Sequence, residues 1–458
     1  MGGDKRISTA LKIITVGLLA LLVVPTLFLL SSAASKTEVA HSAVINRSSY
    51  SRHNITTRTR SDHGYIRPHP PFPSLQRTSH TCRIITNNNN TEEEEIVHMP
   101  TAVPHLIVIG AQKSATSEFQ AVANRRKNVI TPLSVKKFEP HFLDWNGAAL
   151  LRLRKRMKTA DAASNTTTTD NQHSILLKQE YESKLCKLRR MYTKYFNMTS
   201  VINNNESIVM EKTPSYILND KLPQVIDDLC PWKPKILAIL RNPVDRAYSH
   251  YRMSVMSLPG LRAMKRKNDT RAEFSTIVQN EIEEFINIGL LDNTTLSLDQ
   301  FAQEQNATSS ADTLAAPSSS SPFVFPPSMT LEKSAQILSN LGAKRKAHSY
   351  LIRGMYAPLL LPWVTEFALD DRLMVLKFHE MFDDDDVNVV DEALRFAGLN
   401  DTSIDDEVNL KRTNHHAMQG KDIGSLDSMT RLYLKLFYRP FNRFLVQLLG
   451  DEWEGWGE

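Results

Sequence analysis

His105-Leu-Ile-Val-Ile-Gly-Ala-Gln-Lys-Ser-Ala-Thr-Ser-Glu-Phe-Gln120 opens the folded part of the chain. Leu106 to Ile109 is a short apolar run closed by Gly110, the pattern of a strand buried on both faces of a parallel sheet. From Thr116 to Arg126 the sequence reads as a helix. A strand that runs straight into a helix leaves unpaired backbone N–H groups at the positive end of the helix dipole, which together hold a phosphate-like anion. Lys113 adds a full charge to that turn. Only two residues separate Gly110 from Lys113, whereas a nucleoside-triphosphatase loop needs Gly-x-x-x-x-Gly-Lys, so the turn is P-loop-like without being that loop.

Working outward, Ile208-Val-Met210, Lys235 to Leu240 and Leu373 to Phe378 read as further buried strands. Helical patterns lie between them, for example Pro243 to Met256. That alternation predicts an α/β fold, a P-loop-like domain with a central parallel β-sheet flanked by helices. It should occupy residues 103–458. Lys158 to His173 is rich in Thr and Asn, and Asn306 to Ser328 in Ser, Ala and Pro; both read as surface-loop insertions. Residues 35–102 are polar, with a Pro-rich patch around Pro68 to Pro73 and a Glu92 to Glu95 run, and read as a disordered stem.

Ile13 to Ala34 is uncharged and mostly apolar, preceded by Lys5, Arg6 and Lys12. At about 1.5 Å per residue it is long enough to cross a hydrocarbon core of about 30 Å. The rival reading, a cleaved signal peptide ending in Ser31-Ser-Ala-Ala34, fits less well because such apolar regions run only about 7 to 15 residues. Basic residues on the short side keep residues 1–12 cytoplasmic, so the body is expected in the lumen as a single-pass type II protein. Asn-x-Ser/Thr acceptor motifs at Asn46, Asn54, Asn89, Asn165, Asn197, Asn205, Asn268, Asn293, Asn306 and Asn400 agree with that placement. Three cysteines, Cys82, Cys186 and Cys230, exclude a disulfide scaffold and a four-cysteine zinc site; Cys186 with Cys230 is the expected bridge. A net charge of +5 over 458 residues points weakly to anionic ligands and not to a general nucleic-acid binder.

A second anion site follows the strand Lys235 to Leu240. Arg241-Asn-Pro-Val-Asp-Arg-Ala-Tyr-Ser249 places an arginine at the strand's end, Pro243 at a helix start and Ser249 about two turns in, positions that can converge on one phosphate. With Gly110 to Ser117 this resembles the 3′-phosphoadenosine 5′-phosphosulfate (PAPS) sulfotransferases, particularly the Golgi branch that sulfates heparan sulfate and related glycans. Three more segments are similar to that branch in family order: Lys137-Phe-Glu-Pro-His-Phe-Leu-Asp-Trp145, Glu211-Lys-Thr-Pro-Ser-Tyr216, and Arg353-Gly-Met-Tyr356 with Trp363.

The resemblance implies transfer of a sulfuryl group from PAPS to a hydroxyl or amine of a glycan in the Golgi membrane, with no metal required. It implies that Lys113 holds the 5′-phosphosulfate and bridging oxygen, Ser114, Ala115, Thr116 and Ser117 form the loop, and Arg241 and Ser249 take the 3′-phosphate. Glu139 would be the general base and Lys212 would contact the sulfuryl group and acceptor. In-line transfer needs such cations near the leaving phosphate and a base beside the nucleophile. His141 is the alternative base, since imidazole titrates near neutral pH. Two departures stand out. Ser114 and Ala115 follow the lysine where the family often has glycines, and Asn414 to Lys421 stands where a basic loop covers the nucleotide, leaving Lys421 as its candidate.

Rival readings are a protein-tyrosine sulfotransferase, a metal-dependent glycosyltransferase using Asp383 to Asp386, and a non-catalytic glycan-binding scaffold. The acidic run reads better as a solvated helix start, and a scaffold has no reason to keep Glu139, Lys212 and Lys113 together. Adjacent His415 and His416 point apart on most backbones and make poor metal ligands. Trp453 and Trp456 are expected to pack the C-terminal segment onto the body.

Overall fold

The structure is a computed structural model that describes residues 80–88, 91–99, 103–133, 139–163, 168–204, 206–309, 321–369, 371–382, 389–404 and 425–457. The expected cytoplasmic tail and membrane anchor, Asp383 to Asp386, His415, His416 and Lys421 lie outside these residues. No helix among the described residues is long and apolar enough to cross a membrane.

Seven strands occur in chain order: β1 (His80–Asn88), β2 (Thr91–Met99), β3 (Leu106–Gly110), β4 (Val129–Ile130), β5 (Ile208–Lys212), β6 (Lys235–Leu240) and β7 (Leu373–Lys377). The helices used below are α1 (Thr116–Ala123), α2 (Phe142–Ala163), α3 (Thr168–Thr193), α4 (Met198–Asn203), α5 (Leu222–Leu229), α6 (Pro243–Ser257), α7 (Pro259–Arg266), α8 (Phe274–Asn287), α9 (Leu298–Ser309), α10 (Leu331–Asn340), α11 (Ala343–His348), α12 (Tyr356–Glu366), α13 (Val389–Phe396) and α14 (Ser428–Leu449).

Strands β3 to β7 form one sheet in the order β4-β5-β3-β6-β7, and every neighbouring pair is parallel. Alternation sets the two faces. Leu106, Val108, Met210, Leu237 and Ile239 face one core with Phe119 of α1 and Leu394 of α13. Ile107, Ile109, Val209, Ile236 and Ala238 face the other, under residues of α2, α3, α5, α6, α8, α12 and α14. The expected α/β architecture is therefore observed, with helices on both faces of a parallel sheet. The chain leaves β3 toward β4 and β5 on one side and later continues to β6 and β7 on the other. β3 is thus the switch point, and open sheets of this kind bind ligands in the crevice beyond the strands' carboxyl ends there.

Two glycines permit close approaches that place the site. A Cβ on Gly110 would lie 2.8 Å from Ile217 Cγ2, and one on Gly354 would lie 2.8 Å from the Tyr438 hydroxyl and 3.0 Å from Pro243 Cβ. Both contacts seat a turn directly against the end of a strand or helix that carries site residues.

Four expectations are corrected. Within the segment expected to be a disordered stem, β1 and β2 pair antiparallel from His80 with Met99 to Asn88 with Thr91. The bridge is Cys82–Cys186, which ties that hairpin to α3, while Cys230 is free and buried. Ile84 and Val97 pack with Cys186, Ser183 Oγ accepts the Ile85 N–H at 3.0 Å and Arg190 pairs with Glu95 at 2.8 Å. In the Glu92 to Glu95 run, which reads as solvated stem, the backbone is strand, and Glu94 pairs with Arg83 at 3.1 Å as Glu95 does with Arg190. The insertion expected at 158–173 is largely helical, because α2 runs on to Ala163 and α3 begins at Thr168. The Lys, Arg, Met and Leu residues of α2 just before it and the Leu, Lys and Gln residues of α3 just after it favour helix and carry both helices into the segment. In the second insertion, α9 reaches Ser309 and Phe323 is buried, its ring 4.5 Å from Tyr433 and 5.3 Å from Phe437. The surrounding serines and prolines mask that aromatic anchor in the sequence. Trp453 is buried and Trp456 lies 5.9 Å from Tyr356, as expected of packing residues.

Candidate active site

The crevice at the end of β3 is floored by the Gly110 to Ser117 turn. Ala115 is the N-cap of α1, left-handed at φ 57°, and makes no side-chain cap bond. Lys113 is also left-handed, at φ 73°. The first-turn N–H groups thus have no capping side chain to satisfy them and face the crevice, where an anion would be stabilised. Burial lowers the Lys113 pKa, and the nearby cations Arg241, Arg246 and Arg252 lower it further. Cations so crowded favour an anionic guest.

Arg241, at the end of β6, is also lowered by burial. It donates to the Lys113 carbonyl at 3.3 Å and lies over the Phe378 ring at 4.6 Å. Tyr356 fixes its backbone by donating to the Arg241 carbonyl at 2.8 Å. Asn242 caps α6 by accepting from the Val244 and Asp245 N–H groups at 3.0 and 3.3 Å. Ser249 and Arg252 share a helical face of α6 at i, i+3 spacing, and the Arg252 charge is one of those that lower the Lys113 pKa. Arg246 is fully buried and donates to the Tyr350 carbonyl. Arg353 donates to Gln112 of the loop at 2.6 Å.

The other side of the crevice is built from β5 and the first turn of α2. The parallel register sets Lys212 opposite Val108, which brings its ammonium into the crevice. Lys212 is buried and donates to Ser117 Oγ at 3.0 Å and Glu139 Oε1 at 3.1 Å. Glu139 Oε2 lies 3.3 Å from His141 Nε2, and His141 Nδ1 lies 2.9 Å from Asp144 Oδ2. Asp144 also accepts from Ser215 at 2.6 Å. Burial would raise the Glu139 pKa, but the His141 hydrogen bond and the Lys212 charge outweigh it and hold the carboxyl below its usual range. His141 is raised from 6.5 to about 9, first by its bond to Asp144 and then by that to Glu139. At neutral pH it is therefore an imidazolium donating from both nitrogens. It supports an ionised Glu139 and has no lone pair with which to act as the alternative base.

Residues 103–431 match the sulfotransferase domain family. The chain belongs to that family. Sulfotransferases transfer sulfuryl groups, and membership implies PAPS as the donor. Over 58 residues, 13% of this chain and 17% of theirs, the chain is 40% identical to heparan sulfate glucosamine 3-O-sulfotransferase 6 of Mus musculus and to its Homo sapiens counterpart. The matched stretch is thus about a sixth of those relatives' length. The crystal structure of a sulfotransferase from Alicyclobacillus acidocaldarius aligns with 77% of this chain and 99% of its own, at 17% identity and a TM-score of 0.36.

The donor set, Lys113 and the α1 N-terminus with Arg241 reaching the Lys113 carbonyl, fits the anionic groups of a nucleotide. Among the described residues no group of three or more His, Cys, Asp or Glu could hold a metal ion. Of the residues singled out in the sequence, Lys113, Ser114, Ala115, Thr116, Ser117, Glu139, His141, Lys212, Arg241 and Ser249 all lie on elements that end at this crevice.

Several members of this sulfotransferase site escaped sequence reasoning. Asp144 and Ser215 lay inside quoted motifs, and their part shows only once β5 and α2 are brought together. Glu211, fully buried one residue before Lys212, is raised to about 7 chiefly by burial, against the Tyr192 and Tyr216 hydroxyls beside it. The Tyr216 hydroxyl in turn accepts the Leu143 N–H at 3.1 Å, so this buried cluster sits directly beneath the turn that presents His141 and Asp144.

Proposed function

We propose that this sulfotransferase moves the sulfuryl group of PAPS to a hydroxyl of a glycan, as a lumenal enzyme of the Golgi membrane. The observation that carries the reading is the line Ser117, Lys212, Glu139, His141, which joins the donor loop to a carboxylate base through one buried ammonium at 3.0 and 3.1 Å. Glu139 removes the hydroxyl proton as that oxygen attacks sulfur, while Lys212 and Lys113 meet the charge that develops on the sulfuryl and leaving phosphate oxygens.

The glycan acceptor is supported by the short match to heparan sulfate glucosamine 3-O-sulfotransferase 6. A lumenal location is supported by the Cys82–Cys186 disulfide, which persists in oxidising compartments. It is also supported by the sequon asparagines among the described residues, since Asn197, Asn268, Asn293, Asn306 and Asn400 are all exposed.

The test is calorimetric titration of the enzyme with adenosine 3′,5′-bisphosphate, followed by sulfuryl transfer from PAPS to N-sulfated heparosan. Arg241→Ala should weaken the bisphosphate by about tenfold or more, since a charge-assisted hydrogen bond contributes roughly 1.5 to 3 kcal/mol. Glu139→Gln should cut kcat by about 10² to 10⁴ while bisphosphate affinity holds. Normal turnover in Glu139→Gln would end the proposed chemistry. Transfer to a tyrosine peptide in place of heparosan would move the acceptor to protein.

A further inference from the structure

We infer that the exposed face of α2 is a docking track for an anionic glycan chain, leading away from the catalytic carboxylate; the inference rests on the glycan reading above. The track begins at Trp145, 61% exposed, whose ring stacks on His141 at 5.8 Å and 26°. Such a ring beside the base is a platform for the apolar face of a sugar. Beyond it the exposed positions of α2 recur at helical spacing: Ala148, Arg152, Lys155, Arg156 and Thr159. Arg152 and Lys155 stand about 10 and 15 Å along the axis from Trp145, a span of a few sugar rings.

The charge on this face has one sign. From Trp145 to Ala160 the helix carries Arg152, Arg154, Lys155, Arg156 and Lys158 and no acidic residue. Arg154 is committed to Asp228 at 3.2 Å, and Arg156 has Glu180 at 3.9 Å. Arg152, Lys155 and Lys158 have no carboxylate within ion-pair distance among the described residues. Lys155 and Lys158 also line a shallow groove of about 450 Å³ between α2 and Gln224 of α5. Unpaired cations in a row, joined to an aromatic platform at the catalytic mouth, suit a linear polymer whose carboxylates or sulfates repeat along its length. Their contribution falls with salt.

The experiment compares the KM of a long N-sulfated heparosan chain with that of its disaccharide, in wild type and in R152E/K155E, at low and high salt. The expected result is a long-chain KM raised about fivefold to tenfold, a disaccharide KM that moves far less, unchanged bisphosphate affinity and a shallower salt dependence. Equal changes for the two acceptors, or none for either, would overturn the track while leaving glycan sulfation intact. Unchanged long-chain kinetics together with lost binding to phosphatidylserine vesicles would overturn it in favour of a membrane-facing surface. Failure of both acceptors with the wild-type enzyme would instead strike the glycan reading itself.

Discussion

At the scale of single residues, His141 is an ion-pair hub and not a base. Its folded pKa of about 9 lies above the ordinary 6.5. The stabilisation it lends is therefore fully present below pH 6.5 and is lost as pH rises through about 9. Loss of the imidazolium removes a donor that holds the Glu139 carboxylate in place, so kcat should fall along the same alkaline limb. In Asp144→Asn the strongest cause of the shift is gone, so a pH–rate profile should show that limb moved down toward neutrality. A limb left near pH 9 would mean that another group governs it. Ala115 offers a different test. An alanine in the left-handed region costs about 1 kcal/mol or more, and glycine's extra unfolded-state entropy offsets part of this. Ala115→Gly should leave bisphosphate affinity intact and stabilise the fold by up to about 1 kcal/mol, read from the denaturant midpoint. Destabilisation would show that the alanine methyl packs productively. The sequence made Lys113, Glu139, Lys212 and Arg241 legible because each sits in a short motif beside a strand end. Ser215 and Arg252 are not legible in this way, because Asp144 and Lys113, on which they act, lie far away in the chain, and Asp144 gains its part only when Ser215 joins its local bond to His141.

At the scale of elements, the buried parallel strands were readable from unbroken apolar runs such as Leu106 to Ile109. The hairpin β1–β2 was not, because four consecutive glutamates mask the alternation that Ile84 and Val97 complete. A two-stranded hairpin is marginal in water by itself, so its attachment to α3 depends on the Cys82–Cys186 bond and a few contacts. Cys186→Ser should speed amide exchange of β1 and β2 by roughly thirtyfold or more, matching the ~2 kcal/mol lower end of what a disulfide contributes. Sulfuryl transfer should persist, since the hairpin contributes no site residue. Unchanged exchange would show that packing alone holds the hairpin. The 158–173 stretch misled for the opposite reason: its Thr and Asn residues hid the ends of two helices whose interiors are rich in Lys, Arg and Leu.

At the scale of the whole molecule, the parallel sheet places the proposed donor and acceptor groups on adjacent strands around β3, with Arg241 at the end of β6 and the proposed base, Glu139, on the turn before α2. Lys212 joins the halves, and at rest its ammonium is spent on Glu139. The incoming sulfuryl oxygens compete for that same ammonium and so unmask the base. The molecule thereby acquires a kinetic order: the acceptor hydroxyl finds a free carboxylate only after the donor is seated. Product-inhibition patterns should show PAPS as the leading substrate, with the bisphosphate competitive against it. A random pattern would mean that Glu139 is available from the start, and that the two halves of the site operate independently of the lysine that connects them.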